Sequence, residues 1–237
     1  MQRYFTSFKD EKNITISNDD IFHIVKVMRM KINDQFEINN DGDIYLAQIN
    51  SLAPFSFKIL KKIDENHELK TKITLLYCLP KGDKIDLVLQ KATELGVNQI
   101  VLVNSSRCIA KINDENKEKK LARFNKIIKE ATEQCKRNNL PALKDVIKFN
   151  EISNYQSDLN LIAYENSKMS NQELKDILRN FKGNIVTILI GAEGGFSKEE
   201  VEYALKNNFI SISLGNRILR SETSVFNLLS ILGYELE

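Results

Sequence analysis

Two glycine-bearing stretches near the C-terminus constrain this chain more than any other feature. They are Gly191-Ala192-Glu193-Gly194-Gly195-Phe196-Ser197 and Leu214-Gly215-Asn216-Arg217-Ile218-Leu219-Arg220-Ser221-Glu222-Thr223-Ser224, and they hold four of the nine glycines in the chain. Each follows a short β-branched-rich apolar run, Ile185–Ile190 and Phe209–Leu214, the pattern of a strand buried on both faces. Each precedes a helix start; Ser197-Lys198-Glu199-Glu200 has the spacing of a capping box. The pattern predicts two neighbouring parallel strands ending in bends where backbone comes close to something. In open α/β sheets such crevices, at the carboxyl ends of strands, bind ligands.

Size permits one large domain or two small ones in 237 residues. No apolar run approaches the roughly 20 residues of a membrane span, and Met1–Ser7 lacks a signal-peptide core. Cys78, Cys108 and Cys135 form no CxxC pair and suit a reducing compartment as small buried hydrophobes, and no metal-ligand spacing is present. Charge is uneven. Residues 105–150 carry twelve Lys/Arg against six Asp/Glu, whereas residues 151–237 carry eight against twelve. A basic block of this kind suits a polyanion such as nucleic acid, with a solvated helix face as the plain alternative.

Along the chain, residues 1–63 read as a small β-rich unit, closing best as a barrel, with one helix at Asp20–Met28 after the cap candidates Ser17-Asn18-Asp19. Asn39-Asn40-Asp41-Gly42-Asp43 between two alternating runs predicts a hairpin. Arg3, His23, Lys26, Arg29 and Lys31 cluster around the helix and can contact phosphates, although His23, among apolar neighbours, reads as structural. The polar stretch 64–70 marks a domain boundary. Beyond it strands and helices alternate. Ile73–Leu79 leads to a helix with Ile85, Val88, Leu89, Ala92 and Leu95 on one face, ended by Gly96, with Lys81, Lys84 and Lys91 on its polar side or in its leading loop. Then come a strand at Gln99–Val103, a long basic helix at Lys117–Arg137, a strand at Asp158–Tyr164 and a capping box at Ser170–Glu173. The last helix, from about Glu222, is apolar nearly all round and so belongs in a core or at a subunit interface.

The loop Gly191–Ser197 is neither a Walker A loop nor a GxGxxG turn. A plain strand-to-helix turn accounts for one glycine, not for Glu193-Gly194-Gly195 with a second glycine turn one strand later. Gly-x-Glu-Gly-Gly-Phe-Ser followed by Leu-Gly-x-Arg-Ile-Leu-Arg-x-Glu-Thr resembles the cofactor region of the SPOUT class of RNA methyltransferases, most closely the ribosomal RNA small subunit methyltransferase E family. Lys91-Ala92-Thr93-Glu94-Leu95-Gly96-Val97, Glu130-Ala131 through Leu140-Pro141, Arg3-Tyr4-Phe5 and His23 through Met30 resemble further segments of that family. Ala192 and Asn216 stand where proline is common.

The resemblance implies an α/β SPOUT domain with a C-terminal trefoil knot over residues 72–237, preceded by a PUA-like RNA-binding β-barrel over residues 1–68. A knot is something that ordinary topology rules argue against. It implies a cytoplasmic homodimer acting in rRNA processing, with S-adenosylmethionine as cofactor and N3 of a uridine in 16S ribosomal RNA as target. Leu189, Leu214, Ile218 and Leu219 would form an apolar slot for adenine, and Gly191, Glu193, Gly194, Gly195, Gly215 and Thr223 would complete the cofactor site. With no histidine near the loops, Arg220 would stabilise the developing imide anion, while Glu222 would orient that arginine or accept the proton. For Glu222 the plain alternative is a carboxylate favoured by a helix N-terminus. RNA contacts would fall to Arg3, His23 and Arg29 in the barrel and to Arg107, Lys111 and Arg137 in the basic middle. Two other functions fit the same residues: a ribose 2′-O-methyltransferase of this fold, and a non-catalytic RNA-binding assembly factor.

Overall fold

The computed structural model describes residues 1–6, 15–109, 112, 114–164 and 171–237. They divide into two compact units, Met1–Glu68 with Thr132–Leu140, and Leu69–Ala131 with Pro141–Glu237.

In the first unit, β1 (Arg3–Thr6) pairs in parallel with β2 (Gln35–Asn40), and β2, β3 (Asp43–Leu52) and β4 (Phe55–Ile63) form an antiparallel meander. The β2–β3 turn is the one the sequence predicts. Asp41 and Gly42 both have positive φ, 51° and 97°, which a two-residue hairpin of matching twist requires. Ser17 caps α1 (Asn18–Phe22) by accepting from the Asp20 amide at 3.1 Å, and the helix continues as a π-helical turn at His23–Val27. Tyr4, Ile24, Phe36, Ile38, Ala47 and Ile49 form the core.

Arg3 lies within this unit, fully buried. Its Nε donates to Glu37 Oε2 at 2.9 Å and one terminal nitrogen to the Lys136 carbonyl. Lys136 Nζ meets the other Glu37 oxygen at 2.9 Å. Arg137 is 3% exposed and forks onto Glu68, Nε to Oε1 at 3.2 Å and Nη2 to Oε2 at 2.5 Å. The Asn138 and Asn139 amides donate to the same Glu68 Oε1 at 2.9 and 3.0 Å. Both guanidiniums are therefore spent on carboxylates and carbonyls, as buried charges must be. This corrects the assignment of Arg3 and Arg137 to phosphate contact. Burial alone would raise the Glu68 pKa, but the Arg137 hydrogen bonds and charge outweigh it and hold the carboxyl below its ordinary value.

The second unit is a wholly parallel sheet. Its strands are β5 (Lys72–Cys78), β6 (Gln99–Asn104), β7 (Ala142–Leu143), β8 (Ile147–Lys148), β9 (Leu159–Ala163), β10 (Ile185–Ile190) and β11 (Ile210–Ile212). Their spatial order is β11-β9-β10-β5-β6-β7, with β8 also on β6. β5, β6, β9 and β10 are almost continuously buried, as strands covered on both faces must be. The connecting helices are α2 (Lys84–Glu94), α3 (Asp114–Gln134), α4 (Asn171–Asn180), α5 (Lys198–Lys206) and α6 (Ser221–Leu236). The α2 stripe Ile85, Val88, Leu89 and Ala92 is buried as its periodicity predicts. Val225, Leu228, Leu229 and Leu232 seat α6, which packs on α2 and α4. Ser197 and Glu200 form the reciprocal capping box at the start of α5 (3.2 and 2.9 Å); the box at Ser170 lies outside the described residues. Among the described residues no helix is long and apolar enough to cross a membrane.

One expectation is corrected by the strand order. The two strands that carry the glycine bends are not neighbours, because β9 lies between β10 and β11.

Candidate active site

Register brings four strand ends into one row. Ile190 of β10 pairs with Ala163 of β9 on one side and Tyr77 of β5 on the other, and Ile212 of β11 pairs with Ala163. The loops leaving β9, β10 and β11 therefore converge at the carboxyl edge of the sheet, where they enclose a cavity of about 440 Å³. That volume suits a ligand of nucleoside size or somewhat larger. Its walls are the bend 190–196, the segment 213–221, Ala163, Tyr164 and Ser224.

The bend after β10 is held from several directions. A Cβ on Gly191 would lie 3.2 Å from the Phe196 ring and 3.3 Å from the Gly195 backbone, so any larger residue there would press on both. Gly215 has φ 113°, a conformation that L side chains rarely adopt. Ser221 at the start of α6 donates to the Gly191 carbonyl at 2.5 Å and hydrogen-bonds the Tyr77 hydroxyl at 3.1 Å. Burial pushes the Tyr77 phenol well above its ordinary pKa, so it stays neutral. Arg107, in the turn after β6, donates to the Gly194 carbonyl at 2.9 Å, and the Ser106 amide donates to Glu200 at 2.7 Å.

Charge is concentrated beside the cavity. The Glu193 carboxylate accepts from the Lys81 amide (3.3 and 3.2 Å) and meets Lys84 Nζ at 2.9 Å. Burial would raise its pKa, but the Lys84 and backbone hydrogen bonds prevail and hold it low. Glu222 lies 3.5 Å from the same Lys84 ammonium. Arg220 lines the cavity and is exposed, and its guanidinium has no partner among the described residues.

Of the residues singled out from sequence, the structure brings Gly191, Glu193, Gly194, Gly195, Leu214, Gly215, Ile218, Leu219 and Arg220 to one cavity. Three expectations are corrected. Leu189 is fully buried in the core, because neighbouring residues of a strand face opposite sides. Thr223 is exposed and off the cavity wall, since Ser221 and Ser224, three apart, share the helix face turned inward. Glu222 turns to Lys84 rather than to Arg220, which corrects only its expected part in orienting that arginine. His23 and Arg29 sit in the first unit, His23 with Nδ1 2.9 Å from the Tyr4 hydroxyl and Arg29 exposed with φ 52°; Lys111 lies outside the described residues. Sequence reasoning named no cavity role for Ala163, Tyr164, Ile190, Ala192, Phe196, Ser213, Asn216, Arg217, Ser221 and Ser224, although several stand in the glycine stretches. The end of β9 carries no motif of its own, and the strand register alone brings Ala163 and Tyr164 to the cavity.

A family model described as RNA methyltransferase domain matches residues 67–233, and one described as RNA methyltransferase PUA domain matches residues 16–60. The chain is 33% identical to ribosomal RNA small subunit methyltransferase E of Bacillus subtilis (strain 168), over 100% of this chain and 98% of the relative. The protein of that name from Mesomycoplasma hyopneumoniae (strain 232) is 34% identical over 97% of this chain and 98% of its own. The crystal structure of a ribosomal RNA small subunit methyltransferase E from Neisseria gonorrhoeae bound to S-adenosyl methionine superposes with a TM-score of 0.85 at 28% identity, covering 98% of this chain and 96% of that one. With its α/β parallel-sheet unit, its N-terminal PUA domain and relatives matched along their whole length, this chain belongs to the ribosomal RNA small subunit methyltransferase E family.

Proposed function

We propose that the chain is an S-adenosylmethionine-dependent methyltransferase that acts on N3 of a uridine in 16S ribosomal RNA. The supporting observation is the cavity at the carboxyl row of β9, β10 and β11, walled by glycine bends and presenting two guanidiniums, Arg217 and Arg220, without a partner among the described residues; of these Arg220 stands next to Ser221, which ties the start of α6 to the bend. The residues fit the cofactor. Leu214, Ile218 and Leu219 give apolar surface for a purine, and Gly191, Gly195 and Gly215 leave backbone accessible for its polar edge. When bound, S-adenosylmethionine supplies a methyl group activated on a sulfonium for in-line displacement.

The chain's own contribution is placement and charge. Arg220 donates to the uracil oxygens as negative charge develops on the ring, and its freedom from any partner among the described residues leaves it available. Neither His23 nor His67 belongs to the unit that carries the cavity, so that unit supplies no imidazole base of its own. Glu222, turned to Lys84, acts on the site through that lysine. In this reading His23, Arg29 and Arg107 contact RNA, residues 1–68 serve as the RNA-binding unit and 72–237 as the methyltransferase unit, with a trefoil knot at the C-terminus. The working form is a cytoplasmic homodimer, in keeping with the largely apolar α6 and with Ile218, 88% exposed beside the cavity.

The test is mass spectrometry of nucleosides from 16S RNA, or from the small subunit, incubated with protein and methyl-labelled S-adenosylmethionine. Labelled N3-methyluridine is expected. A labelled 2′-O-methylated nucleoside would reassign the target atom, and no labelled nucleoside together with no cofactor uptake would overturn the proposal.

A further inference from the structure

The β5–α2 loop makes an unanticipated connection across the edge of the cavity. Lys84, the first residue of α2, places Nζ 2.9 Å from Glu193 Oε1 in the bend after β10 and 3.5 Å from Glu222 Oε2 in the first turn of α6. Lys81, three residues earlier, donates its amide to both Glu193 oxygens. Glu222 is mostly buried, its side chain 13% exposed, and its Oε2 atom is buried without a hydrogen bond, so beyond the N-terminus of α6 the ammonium is its ion-pair partner among the described residues. The two carboxylates sit on the two arms of the cavity. Glu193 belongs to the arm with Gly191, Gly194 and Gly195, and Glu222 follows Arg220 and Ser221.

We propose that Lys84 is a positioning residue, a shared cation that holds the glycine bend and the start of α6 at the separation the cavity requires. The physical reason is the sign of the charges. Without the ammonium, two carboxylates on opposing arms repel each other, and one of them has a desolvated oxygen with nothing to face. The direct Ser221–Gly191 hydrogen bond ties the arms at their base, and Lys84 ties them a second time further along. The Lys84–Glu193 pair is solvent-accessible on both sides and contributes little to global stability, and Glu222 lies at the edge of its unit in the first turn of α6, so the consequence of losing the ammonium is local: the arms part while the sheet remains. Arg220, one residue before Ser221, moves with its arm.

This inference rests on the proposed function for its chemical meaning, and its test includes a readout that does not. Full-length wild type, Lys84→Met and Lys84→Arg are compared by hydrogen exchange without ligand, by calorimetry with S-adenosylmethionine, and by methyl transfer to small-subunit RNA. Lys84→Met should exchange about tenfold faster at the Gly195 and Ser224 amides, which donate at 2.9 Å to the Ala192 and Arg220 carbonyls, with core amides of β5 and β10 unchanged. Its Kd for S-adenosylmethionine should rise roughly tenfold, within the coupling energies seen among members of one ionic network. Lys84→Arg should restore both to within about threefold, because charge at that place is what counts. Adding Glu222→Gln to Lys84→Met should recover part of the loss by removing the repulsion. Wild-type exchange at both amides in Lys84→Met would overturn the inference, as would an arginine variant as damaged as the methionine one. Absence of S-adenosylmethionine uptake by the wild type would instead overturn the proposed function, leaving the exchange comparison to decide the role of Lys84.

Discussion

Substituting Glu68 by glutamine tests the finding that Arg137 is a structural clasp and not a phosphate contact. The two side chains are 4% and 10% exposed, so the pair cannot fall back on water. Glutamine keeps one oxygen for the Asn138 and Asn139 amides but turns an N–H donor toward the guanidinium and leaves that charge uncompensated. Breaking a buried pair by removing one partner costs about 3–5 kcal/mol; the two retained amide bonds put this case near 3 kcal/mol, a roughly 100-fold change in an opening equilibrium. The assay is hydrogen exchange at the Glu37 amide, which donates to the Gln2 carbonyl at 2.8 Å and reports on opening of the β1–β2 ladder. The sign with pH follows from the lowered Glu68 pKa. Its contribution is fully present above the unfolded value of about 4.3 and is lost as pH falls through the folded value below that. The difference between wild type and Glu68→Gln should therefore be constant above pH of about 5 and shrink below pH of about 4. Glu37, also held low against the effect of burial by hydrogen bonds from Lys136 and Arg3, titrates in both proteins and cancels in the difference. Exchange within threefold of wild type at pH 7 would refute the reasoning. So would an Arg137→Met protein of unchanged exchange whose RNA affinity loses about one unit of salt slope, the signature of a lost phosphate contact.

Removing the Arg220 guanidinium as Arg220→Ala should lower kcat by about 10²–10³ with S-adenosylmethionine affinity near wild type, as loss of a transition-state donor does; single-turnover kinetics with calorimetry separates the two. Gly191→Ala should cost about 1–3 kcal/mol of local overpacking, since its Cβ meets the Phe196 ring and Gly195 backbone, and should weaken cofactor binding without changing the sheet. Calorimetry beside far-ultraviolet circular dichroism reads that outcome. RNA affinity should fall log-linearly with salt, by a slope of about −0.7 to −0.9 per phosphate contact; Arg29→Ala should flatten the slope measured by filter binding, and Arg3→Ala should instead disrupt the first unit, because Arg3 is wholly buried on Glu37.

What the sequence determined by itself is local. The Asp41-Gly42 hairpin, the Ser17 cap, the Ser197–Glu200 capping box, the apolar stripe of α2 and the glycine bends after β10 and β11 each depend on residues a few positions apart. Such neighbours leave a readable period or spacing. The glycine motifs also carried the family, because backbone access to a ligand restricts residue type at those positions.

The tertiary structure decided what depends on distant partners. It placed β9 between the two glycine-bearing strands, which set Ala163 and Tyr164 into the cavity wall. It turned Arg3 and Arg137, basic residues indistinguishable in sequence from surface ones, onto carboxylates 34 and 69 residues away. It also turned Glu222 away from Arg220 to a lysine at the start of α2, where two carboxylates share one ammonium. A charged side chain is soluble on a surface and equally able to pair in an interior, so its type alone leaves the choice open. The choice is made when chain crossovers bring an opposite charge within reach and remove the water, and neither event has a local signature.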